Sequence, residues 1–184
     1  MSSTTPHHAC TWPGISRHIM ARTALATTLA LVVATAAGAQ AQVLWDKAAS
    51  GMTAAEVAKA VPGSKLNSAT EASQNGCGVS MDNATVGGAP FNVCFVFTPD
   101  TLGRVLMRQP DEYLANAVTQ KAFAAVSAEL TRRYGKEEVV KRVDPGSSGL
   151  MGKSAWHQGR ATIELRVTPM TPTTSGLVVF ITTE

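Results

Sequence analysis

Alternation of apolar and polar residues is the feature that most constrains the fold of this chain. In residues 91–97 (FNVCFVF) the odd-numbered positions are all apolar, which places Cys94 on the other side. Residues 161–168 (ATIELRVT) alternate in the same way, with Glu164 and Arg166 between apolar neighbours. Because successive side chains of a β-strand point to opposite faces, both patterns predict strands with one buried and one solvated face.

Weaker strand signals surround these two strands. They cover residues 79–81, 84–86, 104–108, 154–157 and 177–183. The Gly87-Gly88 pair supplies a tight turn, so the strands on either side of it are expected to run antiparallel. Residues 177–181 (LVVFI) are apolar on both faces, which suits a central strand. Residues 65–78 are polar and rich in Ser, Asn and Gly, and we expect them to form a loop.

The longest helical signal covers residues 111–134. It begins with Asp111 and Glu112, carries two arginines in its last turn and is followed by Gly135, so both ends suit the helix dipole. The whole order is a short helix, three strands, a long helix and three strands. This order predicts a single α+β domain over residues 42–184, with two layers: the short N-terminal helix and the long helix pack on one face of a largely antiparallel sheet.

The apolar residues of the long helix fall on two sides. At about 100° per residue, one stripe runs from Phe123 through Val126 to Leu130, whereas Leu114 and Val118 lie near the opposite side. Three explanations are open. The helix bends, or a neighbouring segment covers its first half, or Leu114 and Val118 are left for a partner.

The short helix is predicted from residues 50–63 (SGMTAAEVAKAVPG). Thr53 and Glu56 have the types and spacing of a capping box, and Met52 and Val57 flank it as a hydrophobic staple. A following Pro-Gly pair ends the helix. A ligand-cradling loop is the alternative, but the stretch lacks the Gly-x-x-x-x-Gly-Lys-Ser/Thr spacing of phosphate loops.

The N-terminal region has the pattern of a secretory signal peptide. An apolar run of small residues at 24–37 follows two arginines, and residues 39–41 (AQA) supply a cleavage site. We therefore expect residues 1–41 to be the signal peptide, with cleavage between Ala41 and Gln42; the start is either Met1 or Met20, and Met20 begins the more ordinary signal sequence. A membrane anchor is the alternative, but the run is shorter than the ~20 residues that span a bilayer. We expect no membrane span after cleavage.

Cleavage would leave Cys77 and Cys94 as the only cysteines. Two cysteines in an exported chain predict a disulfide, and we expect a periplasmic or secreted protein. A simple hairpin centred on Gly87-Gly88 would place Cys94 opposite Met81. Two of the 16 Lys and Arg residues precede the cleavage site, so the remaining 14 nearly balance 13 Asp and Glu. This balance removes the electrostatic argument for a nucleic-acid partner.

No group of residues in the sequence predicts catalysis, a metal site or a cofactor. His157 is the only histidine after the cleavage site, and with both cysteines it would supply three zinc ligands only if the thiols stayed reduced. The paired acidic residues 111–112 and 137–138 point about 100° apart on a helix and do not converge. We therefore expect a protein that is not an enzyme.

Gly51-Met52-Thr53-x-x-Glu56-Val57 followed by Val61-Pro62-Gly63 resembles the opening helix of small periplasmic domains of the BamE (SmpA/OmlA) and β-lactamase-inhibitor-protein type. The later order of a hairpin ending in FNVCFVF, a turn and RVLM is similar as well. This resemblance implies a non-enzymatic binding module that uses its sheet face or loops on a protein partner.

Together these features predict an exported binding domain whose partner is another envelope or extracellular protein. The lipoprotein cysteine of the assembly members and the second repeat of the inhibitor type are both missing from this sequence. A small-ligand receptor or enzyme with a site between the long helix and the sheet is the alternative. A structural envelope protein without a discrete site is a third reading.

Overall fold

The structure is a computed structural model, and it describes residues 41–146 and 149–183. The predicted signal peptide, apart from Ala41, and both possible starts, Met1 and Met20, lie outside these ranges. The helices are α1 (Ala54–Ala60), α2 (Ala69–Asn75) and α3 (Asn116–Tyr134). The strands are β1 (Val43–Trp45), β2 (Ala48–Ala49), β3 (Lys65–Leu66), β4 (Val79–Val86), β5 (Ala89–Phe97), β6 (Leu102–Arg108), β7 (Leu114–Ala115), β8 (Val139–Gly146), β9 (Gly149–Gln158), β10 (Ala161–Pro169) and β11 (Thr174–Thr183).

The main sheet has the strand order β3-β4-β5-β6-β11-β10-β9-β8, and β7 pairs with β11. Each of its described pairings is antiparallel. A separate two-stranded sheet joins β1 to β2. The predicted α+β class with a mostly antiparallel sheet is therefore confirmed. The apolar residues 177–181 lie in β11, between β6 and β10.

The alternating patterns bury one side of the sheet. Phe91 and Phe95 of β5, Ile163 of β10 and Ile181 of β11 are fully buried, whereas residues between them are half-buried or exposed. Burying each such side chain contributes about 1.5–3 kcal/mol. Helix α3 contacts β5, β9, β10 and β11, so its buried residues share one core with these strands. The core therefore lies between α3 and the apolar side of the sheet.

Two polar contacts fix the C-terminal half of α3. The indole Nε1 of Trp156, a fully buried residue of β9, donates to Thr131 Oγ1 at 3.2 Å. The Tyr134 hydroxyl donates to the Leu44 carbonyl in β1 at 2.8 Å. Burial raises the pKa of Tyr134 to about 12, so the phenol stays a donor at every pH of interest. These bonds join α3 to β9 and to β1.

Helix α2 corrects the expectation of a loop at residues 65–78. Ser68 caps it and Glu71 completes a second capping box, while Gly76 ends it in a left-handed conformation. The helix buries none of its residues. Its sequence therefore carries no apolar period, and only the Ser-x-x-Glu spacing marked it.

The long helix begins later than expected, at Asn116 instead of Asp111. Leu114 and Ala115 form β7, because their backbones pair with Ser175 and Thr174 of β11. Strand β8 and the first half of β9 were not predicted either. Residues 139–146 of β8 pair with residues 149–155 of β9. The alternation of side chains within either segment does not reveal this pairing.

Candidate functional site: an apolar groove beside the long helix

An open apolar groove of about 450 Å³ lies between the β4–β5 turn and the first half of α3. The turn contributes Gly87 to Pro90, and the segment after β6 contributes residues 109–111. Leu114, Val118 and small alanines complete the wall along β7 and α3. Such a groove accepts apolar side chains and offers few polar groups to fix a reacting substrate.

The glycine turn determines how close the hairpin comes to the helix. Gly87 and Gly88 have φ values of +57° and +80°, the left-handed conformation that glycine adopts without steric cost. A Cβ atom at Gly87 would lie 2.5 Å from the carbonyl oxygen of Ala125. The sequence therefore places glycine where the backbone of the turn touches the backbone of α3.

Leu114 and Val118, which the sequence set apart from the main stripe, both line this groove. Leu114 lies in β7 and so does not belong to the helix, while Val118 lies in the first turns of α3. Val118 keeps 52% of its surface exposed, and the neighbouring Tyr113 keeps 65%. Within the described residues, about half of the Val118 surface is therefore left open to a partner.

A second, polar groove of about 500 Å³ lies on the other side of the sheet. Gln109 and Pro110 line both grooves, so the two adjoin at the end of β6. The polar groove contains two ion pairs. Lys65 Nζ lies 3.3 Å from Asp82 Oδ2, and Arg108 Nη1 lies 3.8 Å from Glu112 Oε1.

Cys77 and Cys94 form a disulfide on the wall of this polar groove, with their Cα atoms 5.4 Å apart. In the strand register Cys94 lies opposite Ser80, so the register of a simple hairpin, with Cys94 opposite Met81, is wrong. The register shifts by one residue between Met81 and Ala84, where Asn83 has a positive φ of 57°. A bulge of this kind inserts an extra residue into one strand.

The capping box of Thr53 and Glu56 is present at the start of α1. Glu56 Oε2 accepts from the Thr53 backbone N–H at 2.8 Å, and Thr53 Oγ1 accepts from the Glu56 backbone N–H at 3.4 Å. The bond from the Thr53 backbone, and then that from its hydroxyl, lower the pKa of Glu56. Neither residue lines either groove. The contacts of Thr53 and Glu56 are those of a helix start and not of a ligand-binding loop. The predicted cleavage residues Ala41 and Gln42 also lie outside both grooves.

His157 lines neither groove. Its Nδ1 lies 2.8 Å from Glu138 Oε2, and both side chains are about half exposed. Glu137 instead accepts from the Ser127 hydroxyl at 3.4 Å, so the adjacent acidic residues face different partners. Within residues 41–146 and 149–183, no group of three or more His, Cys, Asp or Glu side chains is placed to hold a metal ion.

Comparison with protein-family models, with curated proteins and with solved structures finds no match for this chain. Among the helices of the described ranges, none is long and apolar enough to cross a membrane. The disulfide is compatible with an extracytoplasmic location.

Proposed function

We propose that this chain is an exported, non-catalytic binding domain that holds an apolar segment of another envelope or extracellular protein. The observation that carries this proposal is the open apolar groove with Val118 at its surface. An exposed apolar residue in a concave, largely apolar setting is typical of an interaction site. An open groove of this type, with few polar groups, suits a protein partner better than it suits catalysis.

The fold supports the proposal through its layers. We infer a two-layer domain in which α1 and α3 lie on the buried side of the sheet, and the groove opens where α3 begins. Small residues such as Gly88, Ala122 and Ala125 leave room for a large side chain from outside. Filling the groove with one Leu or Phe side chain would contribute about 1.5–3 kcal/mol.

The resemblance of the α1 region to BamE-type and β-lactamase-inhibitor-type domains supports the same class of function. Members of that type are non-enzymatic modules that bind protein partners. The resemblance rests on the capping-box helix and the hairpin that follows. It therefore supports protein binding as the class of function and does not identify the partner.

A small-ligand receptor is the second candidate, because the groove volume falls in the range of about 300–1,000 Å³ that small-molecule sites occupy. A few polar residues also line the groove: Gln109, Asp111 and Lys121. The protein-binding proposal and the small-ligand proposal predict different molecules bound to the chain. A protein partner is captured from an extract, whereas a small ligand travels with the purified protein.

The test compares two charge insertions on the same helix. The full chain is expressed with export, purified and used to capture proteins from an envelope extract, as wild type, as Val118→Glu and as Ala124→Glu. Val118 lines the groove, whereas Ala124 is exposed on α3 outside it. We expect Val118→Glu to abolish capture of a discrete partner and Ala124→Glu to retain it.

Two results would contradict the proposal. Equal capture by both variants would show that the groove is not the binding site. A metabolite seen by native mass spectrometry on wild type but not on Val118→Glu, without any captured protein, would favour the small-ligand receptor. Urea midpoints of the two variants verify that both remain folded.

A further inference from the structure

The solvent-facing side of the sheet carries a row of cations that do not line the apolar groove; one of them, Arg108, also lines the polar groove. In the strand register, Arg108 of β6 lies opposite Val178 of β11, Val178 opposite Arg166 of β10, and Arg166 opposite Lys153 of β9. Neighbouring strands are about 4.8 Å apart. The row therefore places three cations within about 15 Å across four strands.

Positive charge exceeds negative charge on this face. Arg104 lies on the same side of β6 as Arg108, two pleats away. On this side of β6, β9, β10 and β11, the one carboxylate among the described residues is Glu164, which contacts both Lys153 and Arg166. Arg108 has only a 3.8 Å contact with Glu112 from outside the strands. Two of the four strand cations thus contact the one strand carboxylate, while Glu71, Asp82 and Glu112 line the polar groove beside Arg108.

A small apolar strip adjoins the cationic row. Leu106 and Phe180 lie opposite each other in the register and are both half-buried, as is Val178. The Arg166 guanidinium lies over the Phe180 ring, 4.9 Å from its centre. Stacking on Phe180 and hydrogen bonds from Nε and Nη2 to Glu164 Oε2 hold this arginine in place, so the Nη1 side of the pre-positioned guanidinium is the part that faces a partner's carboxylate. Arginine beside aromatic and aliphatic residues is the composition of strongly contributing interface positions.

We propose that this face, defined by Arg104, Arg108, Lys153, Arg166, Leu106 and Phe180, docks an acidic, extended segment of a partner protein. Charge complementarity selects the occupant. Alternate side chains of an extended segment lie about 7 Å apart on one side. Carboxylates at positions i and i+4, about 14 Å apart, would therefore span the row from Arg108 to Lys153, while an apolar residue at i+2, on the same side of the segment, covers Val178 and Phe180.

A lipid surface fits this face less well than a protein segment does. Leu106, Val178 and Phe180 are half-buried between the cations, so they do not project as apolar anchors into a bilayer. Carboxylates, by contrast, accept two parallel hydrogen bonds from an arginine, which adds geometry to the attraction. The face therefore has the features of a carboxylate reader more than those of a membrane-binding surface.

The test measures binding of a fluorescent peptide of repeating Glu-Ser-Val-Ser, the Glu-Val peptide, to the full exported chain. This repeat puts Glu and Val on the same side of an extended segment. A matched peptide has Lys in place of Glu. The test variant is Arg108→Gln/Arg166→Gln. The control is Lys47→Gln/Arg160→Gln, which removes the same two charges from exposed positions away from the row. We expect the test variant to weaken Glu-Val binding about tenfold and the control to weaken it less than twofold.

Three results would overturn the proposal: absence of Glu-Val binding at low salt, equal weakening by both variants, or preferred binding to vesicles of anionic phospholipid. If the test variant does not fold, Arg104→Gln/Arg108→Gln replaces it, because neither of those arginines stacks on Phe180. Val118→Glu should leave Glu-Val binding unchanged. The two surfaces can therefore fail independently of each other.

Discussion

Removing the disulfide should lower the stability of the domain and do so by a predictable amount. The bond joins residues separated by 17 positions in the sequence. In the chain-entropy model, closing a loop of this length reduces the entropy of the unfolded state by the equivalent of about 3 kcal/mol. The variant Cys77→Ala/Cys94→Ala should therefore lose about 3 kcal/mol of unfolding free energy.

The structure also predicts which segment opens first when the disulfide is removed. Helix α2 ends at Asn75, just before the closed loop that begins at Cys77, and it buries no side chain, so the disulfide anchors the chain directly after the helix. Besides the disulfide, its ends are held by Asn67, whose Nδ2 donates to the Cys77 carbonyl at 2.9 Å and whose Oδ1 accepts from Ser80 Oγ at 2.8 Å. Residues 65–78 should therefore open locally at a lower free energy than the central strands.

Urea unfolding and amide hydrogen exchange measure the two effects. With a slope of about 2 kcal/mol per molar urea, the midpoint should fall by about 1.5 M. Exchange in residues 65–78 should accelerate more than exchange in β5, β6 and β11. Reductant should shift the wild type in the same direction and leave the double alanine variant unchanged. A loss below about 1 kcal/mol, or uniform acceleration of exchange, would refute the loop argument.

Three further predictions concern single side chains. Thr53→Ala should cost about 0.5–2 kcal/mol of unfolding free energy, and Ser68→Ala should cost less in global urea unfolding because α2 buries nothing; the reverse order would contradict the assignment of α1 to the cooperative core. Hydrogen bonds from two arginines lower the pKa of Glu129 from 4.5 to about 2. Since the folded pKa lies below the unfolded one, its stabilisation is complete above pH 4.5 and is lost as the pH falls toward 2. Glu129→Gln should therefore make the urea midpoint of unfolding depend less on pH between pH 4.5 and 2. An unchanged dependence of the midpoint on pH would show that the carboxylate contributes nothing. Gly87→Ala should cost about 2 kcal/mol or more through left-handed strain and contact with α3, while Gly88→Ala, with open space around it, should cost less; equal thermal shifts would refute the close approach.

The elements that the sequence predicted are those whose causes are local. The alternation of residues 91–97 and 161–168 reappears as the buried and exposed sides of β5 and β10. The Thr53–Glu56 spacing reappears as the start of α1, because a capping box needs only residues within one turn. Cys77 and Cys94 are the two cysteines expected to remain after cleavage, and that expectation sufficed to predict their pairing.

Tertiary contacts decided the rest. The register of β4 against β5 depends on a bulge at residues 82–83, and turn chemistry alone did not reveal that insertion. Leu114 and Ala115 belong to β7 because β11, about sixty residues later, pairs with their backbone. A helical pattern within one segment cannot show which backbone groups another segment will claim.

Both proposed surfaces also come from segments far apart in sequence. The groove joins the β4–β5 turn to α3, and the cationic row joins β6, β10 and β9 through their register with β11. The sequence marked Leu114 and Val118 as apolar residues that the main helical stripe did not include. It could not show that a glycine turn lies beside them, or that Arg108 and Arg166 share a row, because these proximities exist only after the strands have paired.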